Sequence, residues 1–132
     1  MDDEFKNHPI ANFLQVRIIS ATRKRVVAEM QITPSHLNRS GRVGGGLMMA
    51  FADIIGARGT HANLPPGART TTIESKTNFF ASGTGPIMTA VSIPLHIGRT
   101  TMVWQTTIRN ADKKRVAVVT QTQFVIPAKK KE

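Results

Sequence analysis

The chain has 132 residues, 40 % of them hydrophobic, with 18 Lys and Arg against 8 Asp and Glu and a formal charge of +10. That length supports one domain, residues 1–132, with a core of useful size but no room for a second. Cysteine is absent, which excludes disulfides and thiolate chemistry, and no apolar run approaches the ~20 residues that span a bilayer.

The acidic start Met1-Asp-Asp-Glu-Phe5 lacks the basic-then-apolar order of a signal peptide, so a cytoplasmic protein with no membrane partner is expected. Residues 1–13 read as an N-terminal helix or arm whose second half Pro9 weakens. Strand-like runs follow at about 14–21 and 24–32, joined by the basic turn Arg23-Lys-Arg25, and 34–44 reads as a loop. From about 45 to 62, Leu47, Ala50, Phe51, Ile54 and Ile55 recur at the spacing of a helix with one buried stripe. Asn63-Leu-Pro-Pro-Gly67 ends it.

Runs rich in Thr, Val, Ile and Phe then predict strands at 70–80, 87–96, 100–109 and 115–126. Their short connections predict an antiparallel meander, with Pro94 marking a bulge or an edge. Residues 128–132 form a basic tail. One long helix between two early and four later strands hides its stripe most economically inside a curved antiparallel sheet, an α+β architecture.

Basic residues gather at Arg23–Arg25, Lys113–Arg115 and Lys129–Lys131. The plain reading is solvated turns and a frayed tail. As a field, they attract polyanions. With one Trp and no Tyr to interleave, a small phosphorylated ligand is preferred to nucleic acid.

The segment from Asn38 to Asp53 carries the chemistry. Gly44-Gly-Gly46 opens the helix and offers unpaired backbone N–H groups to a developing negative charge. Asp53 sits two turns inside an otherwise apolar run, where a carboxylate is costly without a partner or a task. Donors that polarise a carbonyl, with a carboxylate that activates water, describe an acyl-transfer site. The plain alternatives are a flexible helix start, a structural ion pair of Asp53 with Arg58 or with an Arg of a partner subunit, an ordinary loop Asn38 and an ordinary strand Thr72. His8, His36, His61 and His96 lack ligand spacing, so no metal is expected.

The string His36-Leu-Asn38-Arg-Ser-Gly41-Arg-Val-Gly-Gly45-Gly-Leu-Met-Met-Ala-Phe-Ala-Asp53 resembles the helix-start motif of hotdog-fold acyl-CoA thioesterases of the phenylacetate-pathway (PaaI-like) type. Thr72-Ile-Glu-Ser-Lys-Thr-Asn-Phe-Phe80, the Gly98-Arg-Thr100 hairpin and Thr122-Gln-Phe-Val125 extend the likeness over about residues 15–127. The resemblance implies a hotdog fold and hydrolysis of an acyl-CoA to acid and thiol. Coenzyme A would be part of the substrate, and no separate cofactor would be needed. It implies that Gly45 donates its N–H to the thioester carbonyl and that Asp53 acts as general base or nucleophile. Asn38 would position substrate or water, and Thr72 would hold the water. Arg99, between Gly98 and Thr100, is the first candidate for a phosphate contact, followed by Arg39 and Arg42. One departure stands out: these enzymes usually carry His before the paired glycines, where this chain has Gly44. A non-catalytic acyl-CoA sensor or carrier on the same fold is the alternative.

Gly45 and Asp53 are eight residues apart, about 12 Å along a helix, too far to act on one thioester within one chain. If both act, Asp53 of one subunit meets Gly45 and Asn38 of another, so a homodimer is expected, extending to a homotetramer. Met49, Gly56 and Ala57 beside Asp53 form a small-residue face suited to that approach.

Overall fold

Pro9 starts a helix and does not weaken one. In this structure, a computed structural model describing residues 3–130, helix α1 is Pro9–Phe13. Met1, Asp2, Lys131 and Glu132, and with them parts of the expected arm and basic tail, lie outside the described residues. Pro tolerates the first helical position because the N–H it lacks has no intrahelical acceptor there. His8 caps the same turn, its Nδ1 accepting from the Ala11 N–H at 3.1 Å. A 3-10 turn at Asp3–Phe5 occupies the first part of the expected helix.

Strands β1 (Val16–Thr22) and β2 (Arg25–Gln31) form a hairpin across Arg23 and Lys24. A 3-10 turn at Pro34–His36 leads through the loop to helix α2 (Gly45–His61). His36 is buried and anchors that turn. Its Nδ1 accepts from the Thr33 N–H at 3.0 Å, so its Nε2 donates to the Phe13 carbonyl, 2.6 Å away.

Strands β3 (Arg69–Phe79), β4 (Ile87–Ile97), β5 (Thr101–Asn110) and β6 (Arg115–Ile126) follow. All six strands join one sheet in the order β1-β2-β4-β5-β6-β3, every pairing antiparallel. The expected meander holds only for β4-β5-β6. Strand β2 pairs with β4, and β3 pairs with β6 at the sheet edge. The mostly exposed residues of β3 suit an edge position. Pro94 marks a bulge, with the β4–β5 register shifting between Pro94 and His96.

Helix α2 lies on the inner face of the sheet. Met48, Phe51, Ala52, Ile54 and Ile55 are buried against Val26, Met30, Met88, Ala90, Trp104, Ile108 and Val119. Leu47 and Ala50, assigned to the stripe from spacing, are only partly buried. Gly59 permits the close helix–sheet contact, since a Cβ there would lie 2.5 Å from the Trp104 ring. The result is a hotdog arrangement, a sheet wrapped around one central helix.

Candidate active site

Asp53 enters the site from the middle of α2, half-buried, and is met by residues of β3 and β6. The Thr72 hydroxyl donates to Asp53 Oδ1 at 2.6 Å. A bulge between Thr72 and Glu74 turns Ile73 outward to 59 % exposure. Such bulges re-aim neighbouring side chains.

From β6, Gln123 Nε2 donates to Thr72 Oγ1 at 2.6 Å, and Gln123 Oε1 accepts from the Thr70 hydroxyl at 2.8 Å. Gln121 Nε2 makes longer contacts with Asp53, 3.4 Å to Oδ1 and 3.3 Å to the backbone carbonyl. Both glutamines are fully buried, and Gln121 Oε1 has no hydrogen-bond partner among the described residues. Among the described residues, the hydrogen bonds to the Asp53 carboxylate fall on Oδ1.

This geometry corrects two expectations, the Asp53–Arg58 ion pair and an open Gly56 on the subunit-facing side. Arg58 pairs with Glu4, so Arg58 is not the counter-ion of Asp53. Gly56 does not lie open to a second subunit. A Cβ there would fall 2.4 Å from the Gln121 amide, so Gly56 is the gap through which Gln121 reaches Asp53.

Gly44 is the N-cap of α2 and has no side chain to satisfy the first N–H groups. Its carbonyl accepts from Leu47 and Met48, which leaves the Gly45 and Gly46 N–H groups at the helix end ahead of the first intrahelical bonds. Gly45 lies under the half-exposed Phe79 ring, whose Cζ would be 3.1 Å from a Cβ at this position. Asn38 Oδ1 accepts from the Ser40 and Arg42 N–H groups at 2.9 and 3.2 Å and so shapes the loop. Arg39 and Arg42 are exposed on that loop.

Gly98, Arg99 and Thr100 form the β4–β5 hairpin, where the Gly98 N–H donates to the Thr101 carbonyl at 2.9 Å. Within one chain this hairpin lies at the far end of β5 from Gly45. The near end is marked by Asn110, which bonds Ser82 and Thr84, with Gly83 accepting from Val43 just before α2. The chain thus joins Asp53 with Thr72 but does not bring Gly45 or Asn38 to them, while the Gly98–Thr100 hairpin borders β6 at the Thr72 end, where the Val125 N–H donates to the Thr100 carbonyl at 2.8 Å. At that near end Arg115 stacks over Phe80, its guanidinium carbon 4.8 Å from the ring centroid.

Sequence reasoning missed Gln121, Gln123, Thr70 and Phe79. The glutamines had a signal: they fall in phase with the apolar Val119 and Val125 on the inward face of an alternating strand. Among the described residues, no cluster of three or more His, Asp or Glu could hold a metal, and no helix is long and apolar enough to cross a membrane.

Comparison with known proteins agrees with this arrangement. The thioesterase superfamily matches residues 40–129. A 1,4-dihydroxy-2-naphthoyl-CoA hydrolase from Listeria monocytogenes is 24 % identical over 116 residues, covering 88 % of this chain and 92 % of that protein. A thioesterase structure from Haemophilus influenzae superposes with a TM-score of 0.89 at 24 % identity, covering 96 % of this chain and 88 % of that one. The E. coli PaaI protein superposes with a TM-score of 0.85 at 24 % identity, covering 95 % and 89 %. The chain belongs to the thioesterase superfamily and is a thioester hydrolase on the hotdog fold.

Proposed function

We propose that this chain hydrolyses acyl-CoA thioesters at a site built from Asp53 and Thr72 of one subunit and Gly45 of another. The observation that carries this reading is the Thr72–Asp53 contact on Oδ1, which leaves Oδ2 for water. Water gives its proton to Asp53 Oδ2 as its oxygen attacks the thioester carbon. The second water hydrogen can go to the remaining lone pair of Thr72 Oγ1, whose other acceptor position is taken by Gln123.

The Gly45 N–H stabilises the oxyanion, a contribution of about 2.7–4 kcal/mol for one good donor. The C–S bond then breaks, Asp53 returns the proton to the thiolate, and acid and CoA leave. The helical separation of about 12 Å between Gly45 and Asp53 requires two chains, hence a homodimer or a higher assembly such as a homotetramer. Asn38 keeps the loop next to Gly45 in shape, and Arg39, Arg42 and Arg99 supply positive charge for the CoA phosphates.

The test is thiol release from short, long and aryl acyl-CoAs, aryl substrates being included because the Listeria relative acts on a naphthoyl-CoA. Turnover that collapses in Asp53→Ala, with assembly and CoA binding retained, supports the reading. Tight acyl-CoA binding without turnover in the wild type sinks it and favours a carrier.

A further inference from the structure

With Asp53 read as the base, the polar chain behind it, partly buried at Thr70 and Thr72 and fully buried at Gln123, has one consistent proton order. An ionised carboxylate accepts hydrogen bonds and donates none, so the one Thr72 proton goes to Asp53 Oδ1. The Gln123 atom 2.6 Å from Thr72 Oγ1 must then be its NH2 group. Its Oε1 consequently faces Thr70, whose hydroxyl donates to it at 2.8 Å and lies farther, at 3.2 Å, from the Phe124 carbonyl. Burying an amide in the inner face of β6 is costly unless its hydrogen bonds are made, and here both ends of the Gln123 amide are used.

We infer that Gln123 is a positioning residue of the hydrolysis: its NH2 group occupies Thr72 Oγ1 so that the hydroxyl proton stays committed to Asp53 Oδ1, leaving Oδ2 to take the proton of water. This inference rests on the reading of Asp53 as base. Without the amide, Thr72 Oγ1 loses the donor that fixes and polarises it, and the bond it gives Asp53 is weaker and less well held. Gln123 touches neither water nor thioester and acts only through Thr72. Thr70 acts one step further out, through Gln123.

A double-mutant cycle on acyl-CoA hydrolysis tests this, using Gln123→Met, Thr72→Val and the two combined, with Asp53→Asn as a separate control. Gln123→Met is expected to lower kcat about tenfold, the upper end of the worth of one neutral hydrogen bond, with KM within about twofold. The double variant is expected to be no slower than Thr72→Val alone, since Gln123 has no route to the reaction except Thr72. Losses that multiply in the double variant, or an unchanged kcat in Gln123→Met, overturn the inference. Should Gln123→Met not fold, Thr70→Val carries the same cycle from the outer end of the chain, with a smaller loss that vanishes in the Thr72→Val background. Full turnover in Asp53→Asn instead removes the base itself, a failure distinct from that of the Gln123 role.

Discussion

Thr72 Oγ1 and Asp53 Oδ1 stand 2.6 Å apart, one on the edge strand and the other two turns inside the central helix. This bond occupies Oδ1 and, in the proposed reaction, leaves Oδ2 for water. Thr72→Val keeps the side-chain shape and deletes the hydroxyl. It is expected to lower kcat by about 10- to 100-fold, and Thr72→Ser to recover most of that loss, both read by thiol release.

The backbone donor can be removed without breaking the helix. Gly45 is the first residue of α2, and Gly44 before it has φ −62° and ψ 138°, the extended backbone that a following proline prefers. Gly45→Pro and Gly45→Ala both place a Cβ against the Phe79 ring, but only Pro deletes the N–H. The ratio of their turnover numbers isolates the donor. Gly45→Pro should be slower by about 10²–10³, and equal rates would exclude this N–H as the oxyanion contact.

Glycines within α2 should respond in opposite directions to the same substitution. A Cβ at Gly59 would meet the buried Trp104 ring at 2.5 Å, so Gly59→Ala is expected to destabilise by about 1–3 kcal/mol. At Gly46 nothing lies within 4 Å, and Gly46→Ala is expected to stabilise by about 0.4–1 kcal/mol. Denaturant midpoints of the two variants check both signs.

Stability should also depend on pH through His61, in the last turn of α2. Although His61 is exposed, partial desolvation of its ring, and secondarily the Arg58 charge, hold its imidazole below the ordinary value of 6.5. Protons therefore bind the unfolded chain more readily than the folded one. The contribution of His61 is complete above pH 6.5 and is lost as pH falls from 6.5 to the folded value. Denaturant midpoints measured between about pH 7.5 and 5.5 should decline, and His61→Gln should flatten that decline.

The long helix was legible because its stop signal is strong and its apolar spacing is regular. The strand positions followed from their composition. Strand order was not legible, because nothing local in 69–79 says that it pairs with 115–126 and not with the strand that follows it. Asp53 and Gly45 stood out as a charge and a glycine cluster where neither is ordinary. Gly56 misled, since its lack of a side chain serves Gln121 of the same chain and not a neighbouring subunit. Gln121 and Gln123 were hidden because two amides among threonines and valines look like surface residues until the phase of the strand is followed inward.

The central claim is that Asp53 and Gly45 from different subunits serve one thioester. Co-expressing Asp53→Asn and Gly45→Pro chains with two affinity tags tests it by thiol release. Random pairing makes about half of the dimers mixed, and each mixed dimer would hold one intact site, so turnover should recover to about a quarter of wild type. Purified mixed dimers no more active than either parent would contradict the shared site and with it this account of the reaction.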